Sequence, residues 1–315
     1  MTVKQWQQHW MNALSAIYPN EESRSLLIMV LSTRFGWEAV DLVIQQKTEL
    51  VDVDQKWLNQ VLSRLMNNEP IQYILGCVQF FGHEFKVSKG ALIPRPETEQ
   101  LVRLMLDLER EKKPKKALDI GTGSGCIALS AAASMKETQW QAWDISKEAL
   151  TLAKENQTSI GAEVQWQVQD VFKPWPSQSF DLVVSNPPYI PMSEKPLMHN
   201  NVRQHEPHGA LFVSDEYPIN YYERIADQGR HHLNPGGRLY FECHYRYADQ
   251  VHQMLETLAY TQVIRAKMSG ENPVLFWECA RKTKALIYLY LVDISPPESL
   301  YLSYECGRKN QFTPP

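Results

Sequence analysis

The chain has 315 residues, 43% apolar and 22% charged, which is ordinary globular usage and argues against a disordered, collagen-like or coiled-coil protein. That length fits one large domain or two modest ones. A net charge of −4 advertises no basic field for nucleic acid. The 5 cysteines are scattered without a CxxC pair, so no disulfide framework or zinc site is expected, and a reducing compartment fits.

The start, MTVKQWQQHW, lacks the apolar core of a signal peptide. No run approaches the roughly 20 apolar residues that span a bilayer. The expectation is a cytoplasmic protein with no membrane partner. Residues 1–70 read as a helical domain. Trp6, Trp10, Leu14 and Ile17 recur at helical spacing, as do apolar residues across 25–35 and 57–65. These stripes read as helix packing, and Asp54 is the expected N-cap of the third run. Residues 71–96 read as a β-hairpin linker, with β-like runs at 71–75, 79–81 and 84–87 punctuated by Gly76, Gly82 and Gly90. Pro94 and Pro96 keep their segment extended, and a helix starts from Glu97 with Leu101, Leu104, Met105 and Leu108 as its buried stripe.

Residues 97–282 form the expected catalytic domain. Strand candidates at 117–120, 140–143, 164–168, 182–184, 238–242, 262–266 and 275–280 alternate with helical stretches. This βαβ pattern predicts an α/β fold with a doubly wound, Rossmann-like sheet. Asn234-Pro-Gly-Gly reads as a turn into the fifth strand, and the last two candidates are expected to pair antiparallel. Residues 283–315 fit none of this and stay an unassigned tail, with an extra strand or an unrelated extension as alternatives.

Asp119-Ile-Gly-Thr-Gly-Ser-Gly reads as the end of a strand and a turn into a helix beginning at about Cys126. Gly121, Gly123 and Gly125, with Thr122 and Ser124 between them, allow a tight turn and close approach of a ligand to the backbone. The spacing is G-x-G-x-G rather than the dinucleotide G-x-G-x-x-G. A pyrophosphate would favour positive charge, whereas an acid at the mouth suits a ligand carrying an amine or sulfonium. The pattern resembles the first motif of class I methyltransferases, which bind S-adenosylmethionine. A plain glycine-rich turn is the rival reading. Asp144 ends the second strand, where a carboxylate can accept both ribose hydroxyls; it also suits an N-cap, and the two roles can coexist. Asp170 ends the third strand, where an acid suits the adenine amine and Val171 or Phe172 could flank the ring. A turn-forming aspartate is the alternative there.

Asn186-Pro-Pro-Tyr follows the fourth strand, at the end of a parallel sheet where ligands bind. An amide or exocyclic amine is a poor nucleophile because its lone pair is delocalised. Asn186 Oδ1 and the Pro187 carbonyl can each accept one N–H of a target NH₂, aligning its nitrogen with a methyl donor. Pro188 stiffens the loop and Tyr189 can pack on the planar group. Alone, the tetrapeptide points to methylation of adenine, cytosine or glutamine without choosing among them. No metal is expected.

Tyr73-Ile-Leu-Gly, Phe80-Phe-Gly-His-Glu-Phe-Lys-Val, Leu92-Ile-Pro-Arg-Pro-Glu-Thr-Glu, the glycine loop, Val184-Ser-Asn-Pro-Pro-Tyr-Ile, Glu206-Pro and Asn234-Pro-Gly-Gly together resemble the HemK/PrmC-type peptide-release-factor glutamine N5-methyltransferases. The likeness spans about residues 1–282. Its most discriminating piece is IPRPETE, which differs in a sister family that methylates a ribosomal protein glutamine. The resemblance implies a helical N-terminal domain, a hairpin linker and a class I methyltransferase domain. It implies methyl transfer from S-adenosylmethionine to the glutamine of the GGQ tripeptide in class I release factors. It further implies cofactor contacts from Gly121 to Gly125, Asp144 and Asn186, and a grip on the target glutamine by Asn186 to Tyr189. Arg95 and Glu97 would lie near the site mouth or form a structural ion pair. Val171 stands where many members have an aromatic, and the glycine often found after the fifth-strand Glu242 is absent.

Two other functions compete. A nucleic-acid amino-methyltransferase would need a basic groove and room for a flipped base, yet residues 1–70 carry more acids than bases. A non-catalytic binder of S-adenosylmethionine is disfavoured by the intact motifs.

Overall fold

A computed structural model describes residues 1–260, 262–269, 272–276 and 285–292. The chain opens with helices α1 (Val3–Leu14), α2 (Asn20–Phe35), α3 (Asp41–Ile44), α4 (Asp52–Met66) and α5 (Ile71–Leu75). Thr2 starts α1 with a capping box, its hydroxyl accepting from the Gln5 amide while the Gln5 side chain accepts from the Thr2 amide. Trp6, Trp10 and Leu14 of the expected stripe are core, whereas Ile17 lies beyond the end of α1 and is exposed. Trp6 and Trp10 are buried 5.2 Å apart, and the Trp10 indole donates to the Ser23 carbonyl on α2 at 2.8 Å.

Two local expectations change here. Asp54 is not the N-cap of α4; Val51 is, and its carbonyl accepts from both Asp54 and Gln55. Asp54 sits in the first turn, where the helix dipole favours an acid, and pairs with Arg34 at 2.7 Å. Residues 71–75 are helical rather than β-like. Pro70 precedes the first turn with a preset φ, and Gly76 closes the last with φ +80° and its amide on the Gln72 carbonyl. A five-residue apolar run cannot be assigned by periodicity alone, and these flanking residues decide it.

The hairpin follows as antiparallel β1 (Cys77–Phe80) and β2 (His83–Lys86). Helix α6 (Pro96–Leu108) takes Pro96 into its first turn, where a missing N–H costs nothing. Then come β3 (Lys116–Ile120), α7 (Cys126–Ser134), β4 (Gln139–Asp144), α8 (Lys147–Ile160), β5 (Val164–Val168) and β6 (Phe180–Ser185). The remainder holds β7 (Ile190–Pro191), α9 (Asn200–His205), β8 (Phe212–Val213), α10 (Asn220–His232), β9 (Leu233–His244), α11 (Ala248–Thr257), β10 (Gln262–Ser269), β11 (Asn272–Phe276) and β12 (Ala285–Val292).

Among the described residues the main sheet has eight strands in the order β11-β10-β12-β9-β6-β3-β4-β5. All its pairings are parallel except β10 with β11. The doubly wound α/β expectation is met, and so is the antiparallel final pair. Asn234-Pro-Gly-Gly differs: it lies inside β9, not before it. The register slips from Phe180↔Leu233 to Leu182↔Arg238, so the extra residues bulge, with Gly236 at φ +77°. Residues 285–292 of the tail form the strand β12 between β9 and β10, with Leu289 buried. Residues 277–280 of the last strand candidate and 293–315 of the tail lie outside the described residues. No helix among the described residues is long and apolar enough to cross a membrane.

Strand order reverses between β3 and β6: β4 and β5 extend one way from β3, and β9 the other way from β6. In open α/β sheets the crevice at such a switch point, beyond the strands' carboxyl ends, is where ligands bind. The glycine loop leaves β3 there, and Asn-Pro-Pro-Tyr leaves β6.

Candidate active site

The glycine loop is held from below by the ends of two strands. The Gly121 and Thr122 amides donate to the Trp143 carbonyl at 2.9 and 3.0 Å. Asp119, fully buried, accepts the Thr122 hydroxyl at 2.6 Å and the Ala128 amide in the first turn of α7 at 3.2 Å, both at Oδ2. Its Oδ1 is buried with no protein partner. Burial lifts its pKa to about 7 against these two hydrogen bonds, and the nearby Asp144 charge adds to the rise. Asp119 therefore braces the loop, with one oxygen left over, rather than standing open at a mouth. Cys126, at the start of α7, is no nucleophile: burial pushes its thiol up to about 12.

Gly121, Gly123 and Gly125 all have positive φ, at 72°, 56° and 82°. A Cβ on Gly121 or Gly123 would meet nothing within 4 Å. A Cβ on Gly125 would meet Trp166 at 2.9 Å, Leu129 at 3.1 Å and Ala153 at 3.2 Å. The first two glycines thus border open space, and the third is wedged between α7, β5 and α8. Ser124 turns its carbonyl to the Asn156 side chain at 2.9 Å.

Asp144 reaches across to the loop. Its Oδ2 accepts from the Gly123 amide at 2.8 Å and its Oδ1 from the Ser146 amide at 2.9 Å. Ser146, not Asp144, is the N-cap of α8. Burial raises the Asp144 pKa against these backbone bonds. The Gln169 amide donates to the Asp144 carbonyl at 3.0 Å, which brings Asp170 beside the same crevice wall. Asp170 forms a turn, accepting from the Phe172 amide at 2.9 Å. Arg224 on α10 steadies that turn through the Val171 and Phe172 carbonyls at 3.1 and 3.0 Å. Val171 packs into the core beneath, while Phe172 is 44% exposed with its ring 4.9 Å from Tyr221. Of the two apolar candidates, Phe172 is the one presenting a ring surface.

The Asn-Pro-Pro-Tyr loop is tied to both sides. Ser185 just before it donates to the Ile120 carbonyl at 2.8 Å, locking the ends of β6 and β3 together. Asn186 Nδ2 donates to the Thr98 hydroxyl at 3.2 Å. The Tyr189 hydroxyl donates to Glu242 Oε1 at 3.0 Å, and Thr98 donates to Glu242 Oε2 at 2.7 Å. Burial lifts Glu242 to about 7, partly offset by hydrogen bonds from Thr98, Tyr189 and Asn186, and the charge of Glu97 adds to the rise. Tyr189 is driven well above its ordinary pKa by burial and by the same carboxylate, so it stays a phenol. Pro187 is buried and Pro188 half-buried.

Arg95 forms an ion pair with Glu206 at 2.5 Å, and Glu206 also accepts from the Ile93 amide at 3.3 Å. Two motif pieces that are far apart in sequence are joined by that buried pair. Thr98 and Glu242 were not among the expected site residues. The signal for Thr98 was its place in IPRPETE. For Glu242 it was an acid inside an otherwise apolar strand, which needs partners when buried.

The residues present suit S-adenosylmethionine. The loop borders open space, Asp119 leaves an unpartnered buried oxygen, and the donor set on this wall is acidic, as an amine, a sulfonium and ribose hydroxyls require. Two family models match the chain: the PrmC N-terminal domain over residues 5–76 and the methyltransferase small domain over residues 98–213. A release factor glutamine methyltransferase of Bacteroides thetaiotaomicron is 43% identical over 253 residues, covering 80% of this chain and 90% of that protein. One from Flavobacterium psychrophilum is 36% identical over 261 residues, covering 81% and 91%. One from Lactococcus lactis is 43% identical over 210 residues, covering 67% and 77%. On the strength of these relatives, the chain belongs to the release factor glutamine methyltransferase family.

Proposed function

We propose that this protein transfers the methyl group of S-adenosylmethionine to the side-chain amide nitrogen of the glutamine in the GGQ motif of class I release factors. The observation that carries the reading is the meeting of the glycine loop and Asn-Pro-Pro-Tyr at one switch point, in a chain whose relatives are named release factor glutamine methyltransferases. When bound, S-adenosylmethionine supplies an electrophilic methyl carbon on a sulfonium. Gly121, Thr122, Gly123, Ser124 and Gly125 would seat it, with Asp119 bracing the loop. Asp144 would accept its ribose hydroxyls, and Asp170 with Phe172 would meet its adenine.

The chain's task is to make an amide nitrogen reactive without a strong base. Asn186 Oδ1 and the Pro187 carbonyl accept the two N–H groups of the glutamine amide and orient its nitrogen. Both are negative ends of dipoles, fixed before the reaction, and both face the nitrogen where positive charge develops. Removing one such fixed dipole from an active site typically costs about 10²–10³ in turnover. Tyr189, held as a phenol, lies against the planar group. The product proton leaves after transfer, so none of the buried carboxylates is needed as a general base.

The proposal places the reaction in the cytoplasm and excludes nucleic acid as substrate. Incubating the protein with methyl-labelled S-adenosylmethionine, a release factor, its GGQ Gln→Ala variant and a DNA pool tests both points. Label on the wild-type factor alone is expected. Label on DNA alone would move the function to an amino-methyltransferase of nucleic acid.

A further inference from the structure

A carboxamide offers an acceptor on one side and a donor on the other, and the two are almost the same shape. Asn186 works only if the acceptor faces the target. We infer, resting on the glutamine-methylation reading above, that Thr98 and Glu242 are positioning residues that fix the Asn186 amide with Oδ1 toward the target nitrogen.

The polarity is set from the bottom upward. Glu242 is buried at the carboxyl end of β9, and in its ionised form, which the hydrogen bonds from Thr98 and Tyr189 favour, it can only accept. Oε2 takes the proton of the Thr98 hydroxyl at 2.7 Å. A hydroxyl has a single proton, so Thr98 then offers Asn186 only lone pairs. The group that meets those lone pairs is the donor, Nδ2, at 3.2 Å. Oδ1 is thereby turned away from Thr98. The other carboxylate oxygen takes the Tyr189 hydroxyl at 3.0 Å, so one buried acid orients both ends of the Asn-Pro-Pro-Tyr loop. If Glu242 could donate to Thr98, the hydroxyl proton would be free to point at Asn186, and the flipped amide would be satisfied equally well.

The test uses Thr98→Val, Thr98→Ser, Glu242→Gln and Asn186→Ala in the full chain. Its readouts are turnover and KM with a release factor, S-adenosylmethionine affinity by calorimetry, and the thermal midpoint. Thr98→Val and Glu242→Gln should each lower kcat about 10-fold or more, the size of one lost buried hydrogen bond. Cofactor affinity should move little, and the thermal midpoint of the Thr98 variants should fall by no more than the few degrees that one lost buried hydrogen bond costs. Thr98→Ser keeps the hydroxyl and should recover most of the turnover. In the Asn186→Ala background, Thr98→Val should cost less than about 2-fold further, because the group it orients is gone. Should Glu242→Gln fail to fold, the two Thr98 variants carry the test alone. A Thr98→Val loss as large without Asn186 as with it would overturn the inference, as would failure of Thr98→Ser to recover turnover. Normal turnover by Asn186→Ala would remove the orientation role and the amide-alignment reading together. A wild-type protein that labels DNA and not the factor would overturn the functional reading itself.

Discussion

Alanine at Gly125 should destabilise the catalytic fold far more than alanine at Gly123, although both glycines have positive φ. The left-handed backbone costs a non-glycine residue roughly 1–2 kcal/mol at either position. At Gly123 nothing else is added, since a Cβ there meets no atom within 4 Å. At Gly125 the Cβ would stand 2.9 Å from Trp166, whose indole is pinned to Gln157 by a 2.5 Å hydrogen bond and cannot swing aside freely. Leu129 and Ala153 close the other sides at 3.1 and 3.2 Å. Overpacking of this kind typically adds about 1–3 kcal/mol. The Gly125 variant should therefore lose roughly 2–5 kcal/mol, or about 5–15 °C in thermal midpoint for a domain of this size. Calorimetric unfolding of both variants without cofactor measures the difference. Titration with S-adenosylmethionine should show the opposite bias. The Gly123 variant should lose affinity out of proportion to its stability, because its Cβ projects into the space proposed for the ligand. Equal stability losses within about 0.5 kcal/mol would refute the wedge argument, since that is the scale at which independent effects are resolved.

Asp144→Ala should weaken S-adenosylmethionine binding about 10- to 100-fold, the value of one or two charge-assisted hydrogen bonds, with calorimetry as the assay. Arg95→Ala leaves the buried Glu206 carboxylate without its ion pair and should cost about 3–5 kcal/mol in urea unfolding. Adding Glu206→Gln should restore part of that loss, and no restoration would mean that the pair is not the cause. Asp119 gives a pH signature. Its unfolded-state pKa lies near 3.8 and its folded-state value near 7, so the fold holds a proton that the unfolded chain has released. Its contribution to stability is full below about 4 and is lost as pH rises to about 7, roughly 4 kcal/mol in all. Asp119→Asn should flatten the decline in stability between pH 5 and pH 7, and an unchanged slope would contradict the assignment.

The sheet was legible because β6 carries an apolar run, β5 alternates apolar with polar residues, and β3, α7, β4 and α8 are close neighbours in the chain. The glycine loop and Asn186 were legible for a topological reason: in a parallel sheet the residues after adjacent strands meet at one edge. Local boundaries were less so. Asp54 resembles an N-cap, yet its partner, Arg34, lies on another helix. Residues 71–75 carry no period that separates one helical turn from a strand. Thr98 and Glu242 touch across 144 residues of sequence, and the bond depends on β9 ending level with the first turn of α6. Spacing along a chain contains no such information. Val171 and Phe172, adjacent in sequence, are told apart only by packing, which tucks Val171 partly into the core and leaves Phe172 exposed.

The most direct test of the proposed chemistry is to locate the transferred methyl by fragmentation mass spectrometry. A release factor would be treated with the wild-type protein and, separately, with the Asn186→Ala variant. The expected result is a single methyl on the side-chain amide of the GGQ glutamine with the wild type. The variant should produce roughly 100-fold less of it, with a much smaller loss of S-adenosylmethionine affinity. A methyl elsewhere on the factor, or full methylation by the variant, would contradict the assignment of Asn186 as the residue that aligns the target amide.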